Sequence, residues 1–527
     1  METNTSSPSR PRLWLFTLIV FMSSGCIMIL ELVAGRIIAP SVGVSLYTWT
    51  SVIGVILAGI SLGNYLGGRL ADRWASPRLL GLMFVLAGLT SLGVLAIDQM
   101  NLMERVEWPI VLEILALIAV LFFVPCTILG TISPIVVKLA MHDLARAGRT
   151  VGQIYAFGSV GSIVGTFLTG FWLIAEFGTY AIVWGVAVVL FFLGLLFLLG
   201  RRWWATTLVM LAVAGGSVWA FRQGWIEGPC MHETNYFCIK VKEEEKDGEI
   251  VRTLILDRLV HSYTSLNDPT KLVYGYEKIY AELTAYQAER RARAQGVQEH
   301  HTQEQSALLH ASVPLRTLFI GGGGYTFPKY MEILYPGSTL DVIEIDPMVT
   351  WVAYAYLGLS KDTRVASYNE DARMFLKREP TQRYDLIMGD AFNDFSVPYH
   401  LTTQGFNERV HAWLEPDGLY MVNIIDGAYG HFLRAYVHTL RQTFAHVYVA
   451  PTNSKWREAS RNTIVIVGTD TPLDMDALAE DSLWRRYLLA AEEVDALLVE
   501  AEPAILTDRH APVEQMLAPV FLGKGAE

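Results

Sequence analysis

The amino-terminal part of the chain is almost entirely apolar up to about residue 225. Seven apolar segments in it are each close to the roughly 20 residues that a helix needs to cross a bilayer. They lie at about residues 13–34, 46–67, 79–98, 109–137, 151–175, 180–200 and 204–221. Because backbone in lipid must satisfy its own hydrogen bonds, such segments are restricted to helices. The sequence therefore predicts a multi-pass α-helical membrane domain of about seven spans over residues 1–225.

Basic residues beside these segments predict an orientation. They precede the first segment and follow the second, fourth and sixth, whereas the alternate connections contain few. The positive-inside rule then places the amino terminus in the cytoplasm. Seven spans would leave the remainder of the chain outside. However, residues 204–221 are the shortest segment and contain two adjacent glycines, so a surface position for them, with a cytoplasmic remainder, stays open.

Two local features predict how these helices deviate and pack. Pro125 and Pro134 lie within the long fourth segment, where a kink or a break is expected. Gly161 and Gly165 form a small-xxx-small pair in the fifth segment, a spacing typical of close helix packing.

Beyond residue 225 the sequence is typical of a soluble protein. The net charge of −11 lies mostly in this half, which argues against nucleic-acid binding. We expect a β-rich part with a β-hairpin at 226–287, an exposed helical or disordered insert at 288–312, an α/β domain at 313–473 and a helical extension at 474–527. The insert contains His300, His301 and His310, but their spacing indicates no metal site.

Residues 315–346 organise the predicted α/β domain. An apolar strand leads into four glycines, Gly321 to Gly324, and a helix begins near Pro328. A second apolar strand then ends on Glu344 and Asp346. A glycine turn at the end of a strand lets a nucleotide-like ligand approach the backbone, and an acid about 20 residues later is placed to bind ribose hydroxyls. The alternative is a glycine-rich loop in an ordinary α/β domain.

Seven strand-like segments follow one another between residues 315 and 468. Helical stretches separate the first five, and the last two are adjacent. Five parallel strands followed by a terminal hairpin are typical of a class I S-adenosylmethionine-type domain, a Rossmann-like fold.

From about residue 230 to the end, these residues resemble spermidine synthases, the aminopropyltransferases. They are more similar still to the bacterial group that fuses such a domain to a membrane domain. Residues 63–73, GNYLGGRLADR, resemble the signature after the second helix of major facilitator transporters. The first six spans are therefore similar to half of such a transporter. The resemblance implies a multi-pass protein of the bacterial inner membrane.

The resemblance assigns a pocket for decarboxylated S-adenosylmethionine or S-adenosylmethionine as co-substrate, without metal. Its residues here are Gly321, Gly322, Gly323 and Glu344, with Asp346 two positions later. The adenine-contacting segment of the family matches residues 370–372, which makes Asp371 the candidate, followed by Ala372.

The catalytic aspartate of the family matches Asp390 at the end of the fourth strand, with Asp394 as a second carboxylate nearby. Attack on a sulfonium-bound carbon requires a neutral amine, and a carboxylate can orient that amine and accept its proton. The alternative for Asp390 is a capping or loop aspartate.

Three departures from the family concern the amine pocket. Gly324 and Tyr325 replace the Asp-Gly of the family's loop. Asp-Gly-x-x-Gln becomes residues 257–261, which end in His261, and Tyr-His-Glu becomes residues 274–277. By position, His261, Tyr274 and Glu277 line a rebuilt amine pocket, although plain structural roles for them stay open.

Three functions remain open at this point. The first is a membrane-anchored aminopropyltransferase that acts on a polyamine-like amine. The second is an S-adenosylmethionine-dependent methyltransferase, and the third is a non-catalytic nucleoside-binding or transport-coupled membrane protein. The resemblance also suggests a homodimer. Cys230 and Cys238 are close enough in sequence for a disulfide, which would require an oxidising compartment.

Overall fold

A computed structural model describes most of the chain and divides it into two compact units. The described residues are 13–100, 108, 110–141, 144–199, 203–224, 227–246, 248–295, 313–391, 397–459, 461–500 and 503–522. The units are Met1–Asn235 and Tyr236–Glu527. Predicted features at Asp394 and at the three insert histidines lie outside the described residues.

Within the described residues, the first unit contains six helices that are long and apolar enough to cross a membrane. They are α1 (Leu13–Val42), α2 (Leu46–Trp74), α3 (Pro77–Asp98), α4 (Val111–Ala140), α5 (Ala147–Phe177) and α6 (Thr179–Leu199). The predicted seventh span lies on α7, Trp203–Arg222, whose apolar stretch is shorter. Among the residues that the structure describes, the candidate spans therefore number six, and α7 is a shorter apolar helix at the position of the predicted seventh. Residues 63–73 continue α2 as helix and do not form a loop.

Helix α4 is interrupted, as Pro125 and Pro134 predicted. Residues Ala119–Phe123 form a π-helical turn just before Pro125, and a second break occurs at Thr131. Proline has no N–H to give to the preceding turn, which weakens the helix on its amino-terminal side. Helix α5 contains a similar π-helical turn at Thr169–Leu173, although this helix contains no proline.

Glycines on α5 allow its backbone to approach α1 closely. A Cβ atom at Gly161 would lie 2.1 Å from the carbonyl oxygen of Phe21, and one at Gly165 would lie 2.6 Å from that of Gly25. Because neither distance leaves room for a methyl group, only glycine permits this packing. The predicted close helix packing is confirmed.

The second unit begins with an antiparallel sheet that contains three consecutive strands. They are β1 (Cys238–Lys246), β2 (Glu249–Leu256) and β3 (Leu259–Ser265). The β1–β2 hairpin was predicted and is confirmed, whereas β3, which carries His261 and Ser262, was not predicted. Helix α8 follows at Gly275–Ala294, and its last turns bury Ala288 and Ala292. The start of the predicted exposed insert is therefore part of this packed helix.

A seven-stranded sheet forms the centre of the second unit. Its strands are β4 (Arg316–Ile320), β5 (Thr339–Ile343), β6 (Val365–Tyr368), β7 (Tyr384–Gly389), β8 (Leu414–Asp426), β9 (His446–Pro451) and β10 (Asn462–Thr469). The spatial order is β9-β10-β8-β7-β4-β5-β6. Strands β4 to β8 pair in parallel, and β10 and β9 add an antiparallel hairpin. The predicted fold class is confirmed.

Helices cover both faces of this sheet. They are α9 (Thr326–Leu334), α10 (Pro347–Tyr356), α11 (Ala372–Leu376), α12 (Gln404–Trp413) and α13 (His431–Leu440). Side chains of β4 alternate between two apolar clusters, with Ile320 in one and Phe319 in the other. The carboxyl-terminal part forms the short helices α14 (Leu483–Tyr487), α15 (Ala491–Val499) and α16 (Val513–Leu522).

The order of the parallel strands changes direction between β4 and β7. The loops that follow these two neighbouring strands therefore open the sheet at one edge, where open α/β sheets bind their ligands.

Candidate active site

The glycine turn after β4 lies directly against the backbone that follows β7. The Gly321 N–H donates to Ile343 O at 2.8 Å, and the Asp390 N–H donates to Ile320 O at 2.9 Å. Gly321 has a φ of +98°, and a Cβ atom there would lie 2.4 Å from the carbonyl oxygen of Asp390. Both the backbone conformation and the available space therefore require glycine at this position.

Glu344 points its carboxylate at the glycine turn. Its Oε2 accepts from the Gly322 N–H at 2.8 Å, and its Oε1 accepts from the Asp346 N–H at 2.9 Å. The side chain is buried, and this burial raises the pKa of Glu344, while the hydrogen bonds to its carboxylate oppose the increase. An acid at the end of β5 is thus held beside the turn, where the sequence placed the ribose-binding residue.

Asp390 is held by two side chains from different elements. Its Oδ2 accepts from the Tyr276 hydroxyl at 2.8 Å, and its Oδ1 accepts from Asn423 Nδ2 at 2.9 Å. Tyr276 lies in the first turn of α8, and Asn423 lies within β8. Burial raises the pKa of Asp390, and the two donors oppose that increase because they favour the ionised form. The carboxylate is fixed in position and kept available as a proton acceptor.

Two cavities meet at Asp390. The smaller cavity has a volume of about 40 Å³ and is lined by Gly321 to Gly324, Glu277 and Phe327, among others. The larger cavity has a volume of about 230 Å³. Its lining residues are Leu259, Val260, His261, Tyr274, Tyr276, Asp390, Asn423, Ile425, Arg461 and Thr463. Asp390, Tyr276 and His261 line both cavities, so one carboxylate can face two bound groups.

The predicted amine-pocket residues are divided between these cavities. Tyr274 lines the larger one, where its hydroxyl donates to Val260 O at 2.8 Å, and His261 lines both. Glu277 lines the smaller one instead, beside the glycine turn. The structure therefore brings all three near Asp390 but not into a single pocket.

Glu277 and Lys329 form a buried acid–base environment next to the turn. Burial, together with the charge of Asp390, raises the pKa of Glu277 to about 8, and one of its oxygens accepts from the Tyr274 N–H at 3.3 Å. Burial lowers the pKa of Lys329, on α9, to about 7, and its ammonium donates to Leu357 O. Near neutral pH both groups therefore change charge readily.

Two of the predicted nucleoside-binding aspartates act as helix caps. Asp346 Oδ1 accepts from the Met348 N–H at 2.9 Å at the start of α10. Asp371 Oδ1 accepts from the Met374 N–H at 3.0 Å, and its Oδ2 lies 3.0 Å from His400 Nε2. Ala372 is buried in the first turn of α11. None of these three is among the described residues that line the two cavities.

The unusual end of the glycine loop has a steric explanation. A Cβ atom at Gly324 would lie 2.0 Å from the Oγ of Ser262 on β3, so a larger residue does not fit there. Tyr325 adopts a φ of +54°, and its buried hydroxyl hydrogen-bonds to Ser367 Oγ at 3.0 Å. The space that the family's loop aspartate would need is therefore filled by β3.

Sequence reasoning missed three residues of this site. Asn423 had a signal, because it is a polar residue within the otherwise apolar segment LYMVNIID. Tyr276 is one of three tyrosines between residues 274 and 280, and only the register of α8 shows that it reaches Asp390. Arg461 had no signal, since it enters the site from the turn before β10.

No family model matches the chain. It is 32% identical over 209 residues to the polyamine aminopropyltransferase of Vibrio vulnificus, which covers 38% of this chain and 65% of that protein. The matched stretch is therefore similar to a polyamine aminopropyltransferase. It is also 29% identical over 131 residues to a probable polyamine aminopropyl transferase of Bifidobacterium longum, over 24% of this chain and 29% of that protein. The chain thus spans less than two thirds of the length of either relative.

Other relatives and solved structures are similar to parts of the chain. The eEF1A lysine and N-terminal methyltransferase of Bos taurus is 29% identical over 122 residues, which is 21% of this chain and 18% of that protein. A crystal structure of a probable spermidine synthase from Corynebacterium glutamicum is 21% identical, with a TM-score of 0.38, over 55% of this chain and 92% of that one. Human methyltransferase-like protein 13 in complex with SAH has a TM-score of 0.29 at 22% identity, over 40% of this chain and 92% of that one.

Proposed function

We propose that this protein is a membrane-anchored transferase that moves an aminopropyl group from decarboxylated S-adenosylmethionine to an amine. The observation that carries the proposal is the position of Asp390. Its carboxylate is oriented by Tyr276 and Asn423, and it faces the glycine-turn cavity on one side and the larger cavity on the other. A donor and an acceptor bound on opposite sides would meet at this group.

The reaction needs one bond made and one bond broken. The lone pair of the neutral acceptor nitrogen attacks the carbon next to the sulfonium, so a C–N bond forms as the C–S bond breaks. The sulfur keeps the bonding electrons and leaves as the neutral thioether 5′-methylthioadenosine. The extra proton on nitrogen passes to the Asp390 carboxylate and then to solvent. A positioned carboxylate of this kind contributes by orientation and by proton transfer.

The residues beside the glycine turn are chemically suited to the proposed donor. The turn approaches so closely that a Cβ at Gly321 is excluded, and the Glu344 carboxylate faces it. We propose that ribose hydroxyls bind Glu344 while Gly321, Gly322 and Gly323 contact the donor. The smaller cavity has the size of a side chain rather than of a nucleoside, so the nucleoside would bind at its mouth. Asp346 and Asp371 would support this site by capping its helices.

Methyl transfer from S-adenosylmethionine is a second candidate. It is favoured by the similarity to the eEF1A lysine and N-terminal methyltransferases, at 29% identity over 122 residues for the bovine protein. Both donors have the same adenosine and sulfonium groups, and Glu344 and the glycine turn would contact those common parts. The two reactions differ in the carbon that is attacked.

Product analysis separates the two reactions. The full-length protein in detergent is incubated with each donor and a panel of amines, and the nucleoside products are identified by mass spectrometry. Aminopropyl transfer predicts 5′-methylthioadenosine in equal amount to the modified amine. Methyl transfer predicts S-adenosylhomocysteine from S-adenosylmethionine instead. Formation of neither product, with both donors bound, would contradict the proposal.

We also propose that the first unit lies in a bacterial inner membrane and that the second unit faces the outside. Six spans alone would favour the cytoplasmic side for a chain whose amino terminus is cytoplasmic. The outside orientation requires α7 to cross the membrane as a seventh span, and a disulfide formed by Cys230 and Cys238 would favour it, because disulfides persist in oxidising compartments. Alkaline phosphatase fused after residue 527 should be active in cells. A fluorescent cytoplasmic reporter with an inactive phosphatase would contradict this orientation.

A further inference from the structure

Asn423 is a polar side chain on a face of β8 that is otherwise apolar. Its neighbours on that face are Met421 and Ile425, because side chains two residues apart point to the same side of a strand. Strand β8 pairs in parallel with β7, and the register places Asn423 one residue beyond the partner of Gly389, level with Asp390. A polar group at this point needs a partner that the apolar core does not provide.

The hydrogen bond to Asp390 determines which way the Asn423 amide points. Asn423 Nδ2 donates to Asp390 Oδ1 at 2.9 Å. Because an ionised carboxylate only accepts hydrogen bonds, the amide nitrogen must be the atom on that side. The amide oxygen then lies on the other branch of the side chain. It is buried and has no hydrogen-bond partner among the described residues, and Asn423 as a whole is 7% exposed.

This amide oxygen favours a ligand that brings an N–H group. A buried acceptor without a partner costs free energy, which a donor on a bound molecule recovers. Asn423 lines the larger cavity together with Asp390. Each oxygen of Asp390 accepts one hydrogen bond within the protein, from Tyr276 or from Asn423, and keeps a further lone pair. Neighbouring acceptors on two residues can therefore bind one nitrogen that carries two N–H groups.

We propose that Asn423 contacts the acceptor nitrogen and restricts the reaction to primary amines. One N–H binds Asp390 and the other binds Asn423 Oδ1, so the orientation of the nitrogen lone pair is fixed. Only Asp390 receives the proton, because an amide oxygen is too weak a base. A secondary amine brings a single N–H and leaves one of the two acceptors unpaired. This inference rests on the proposed transferase function, since it takes the larger cavity to be the acceptor site.

Matched amines test this requirement in the wild type. The full-length protein in detergent is given decarboxylated S-adenosylmethionine and a series of primary alkylamines and diamines, each compared with two isomers of one another. One isomer carries an added methyl group on every nitrogen, and the other carries it on the adjacent carbon and so keeps both N–H groups. We expect kcat/KM to be about tenfold lower for the N-methyl isomer than for the C-methyl isomer, as for the loss of one buried hydrogen bond.

A substitution at Asn423 separates hydrogen bonding from size. Asn423→Leu removes the amide oxygen but keeps a side chain of similar volume, so the preference for the C-methyl isomer should disappear. Tyr276→Phe is the matched control, because it removes the other donor to Asp390 and leaves the Asn423 amide in place. It should keep the preference, whatever its effect on the rate. If Asn423→Leu is too slow to assay, calorimetric affinities of the same isomers, with 5′-methylthioadenosine bound, give the comparison.

The outcomes for Asn423 and for the proposed function are distinct. Equal kcat/KM for the two isomers in the wild type, a preference that survives in Asn423→Leu, or one that is lost in Tyr276→Phe would overturn the inference. Aminopropyl transfer without the preference would retain the transferase and reject the role of Asn423. An Asn423-dependent difference in affinity, with no aminopropyl transfer to any amine, would retain the contact and reject the proposed reaction.

Discussion

The hydroxyl of Tyr276 donates a hydrogen bond of 2.8 Å to Asp390 Oδ2 and so joins the first turn of α8 to the end of β7. Burial raises the pKa of Tyr276 far above its usual range, which keeps this hydroxyl protonated and therefore a donor at any physiological pH. The donor favours the ionised form of Asp390 against the effect of burial. The pair thus determines where the carboxylate points and the pH at which it can accept a proton.

Removal of that donor should shift the pH profile of the reaction. In Tyr276→Phe, Asp390 loses a hydrogen bond to its charged form, so its pKa should rise. The acid limb of kcat/KM, measured against pH, should move upward by the same amount. Tyr384→Phe is a matched control, because Tyr384 lies at the other end of β7 and donates a hydrogen bond of 2.8 Å to Asp341 on β5. An identical shift in the control, or none in Tyr276→Phe, would contradict this role.

The steric explanation for Gly324 predicts an energetic coupling between Gly324 and Ser262. Gly324→Asp should lower the melting temperature, since its Cβ would collide with Ser262. In a Ser262→Gly background the same change should cost less, by at least about 1 kcal/mol in a double-mutant cycle. Thermal unfolding of the four proteins in detergent measures the coupling. Equal costs in the two backgrounds would show that Ser262 does not close this position.

The raised pKa of Glu277 predicts that the difference in stability between the wild type and Glu277→Gln depends on pH. Its pKa is raised by burial to about 8 in the folded state, above its ordinary value in an unfolded chain. The wild-type protein should therefore lose stability from Glu277 as the pH rises from about 4.5 to 8, because the buried side chain must ionise. Glu277→Gln removes that loss while it keeps an oxygen for the Tyr274 N–H.

The expected result for Glu277→Gln is a gain in stability over the wild type at pH 8, on the order of 1 to 3 kcal/mol, and little difference at pH 4. The Glu277 charge also raises the pKa of Lys329, so the comparison reports the two coupled groups together. Glu492→Gln, at an exposed position in α15, serves as the control and should show no pH-dependent difference. A loss of stability at pH 8 would contradict the assigned cause.

The central sheet could be predicted because each of its strands is a short apolar segment with a distinct end. Strand β3 could not, for a reason visible in the turn before it. That turn uses Asp257 with a φ of +52°, and its side chain accepts from the Cys238 N–H at 2.9 Å. A hairpin turn is usually recognised by a glycine in the left-handed conformation, which is absent between residues 256 and 259.

The acids of the site show a second limit of sequence reasoning. Glu344, Asp346 and Asp371 all follow strands and precede helices, so all three are placed to bind a ligand at the sheet edge. An aspartate before a helix is equally well placed to cap it. The structure gives Asp346 and Asp371 capping bonds and directs only Glu344 to the glycine turn. Pattern alone does not distinguish these roles, because each depends on the direction of the side chain.

The measurement that tests the account most directly is a comparison of Asp390→Asn with the wild type, with decarboxylated S-adenosylmethionine and the amine that the wild type uses best. Loss of the carboxylate should lower kcat/KM by about 10²- to 10⁴-fold, because the amine loses its proton acceptor. Donor affinity from calorimetry should stay nearly unchanged, since Glu344 and the glycine turn remain intact. Turnover that survives the substitution would contradict the assignment of Asp390 as the group that receives the proton.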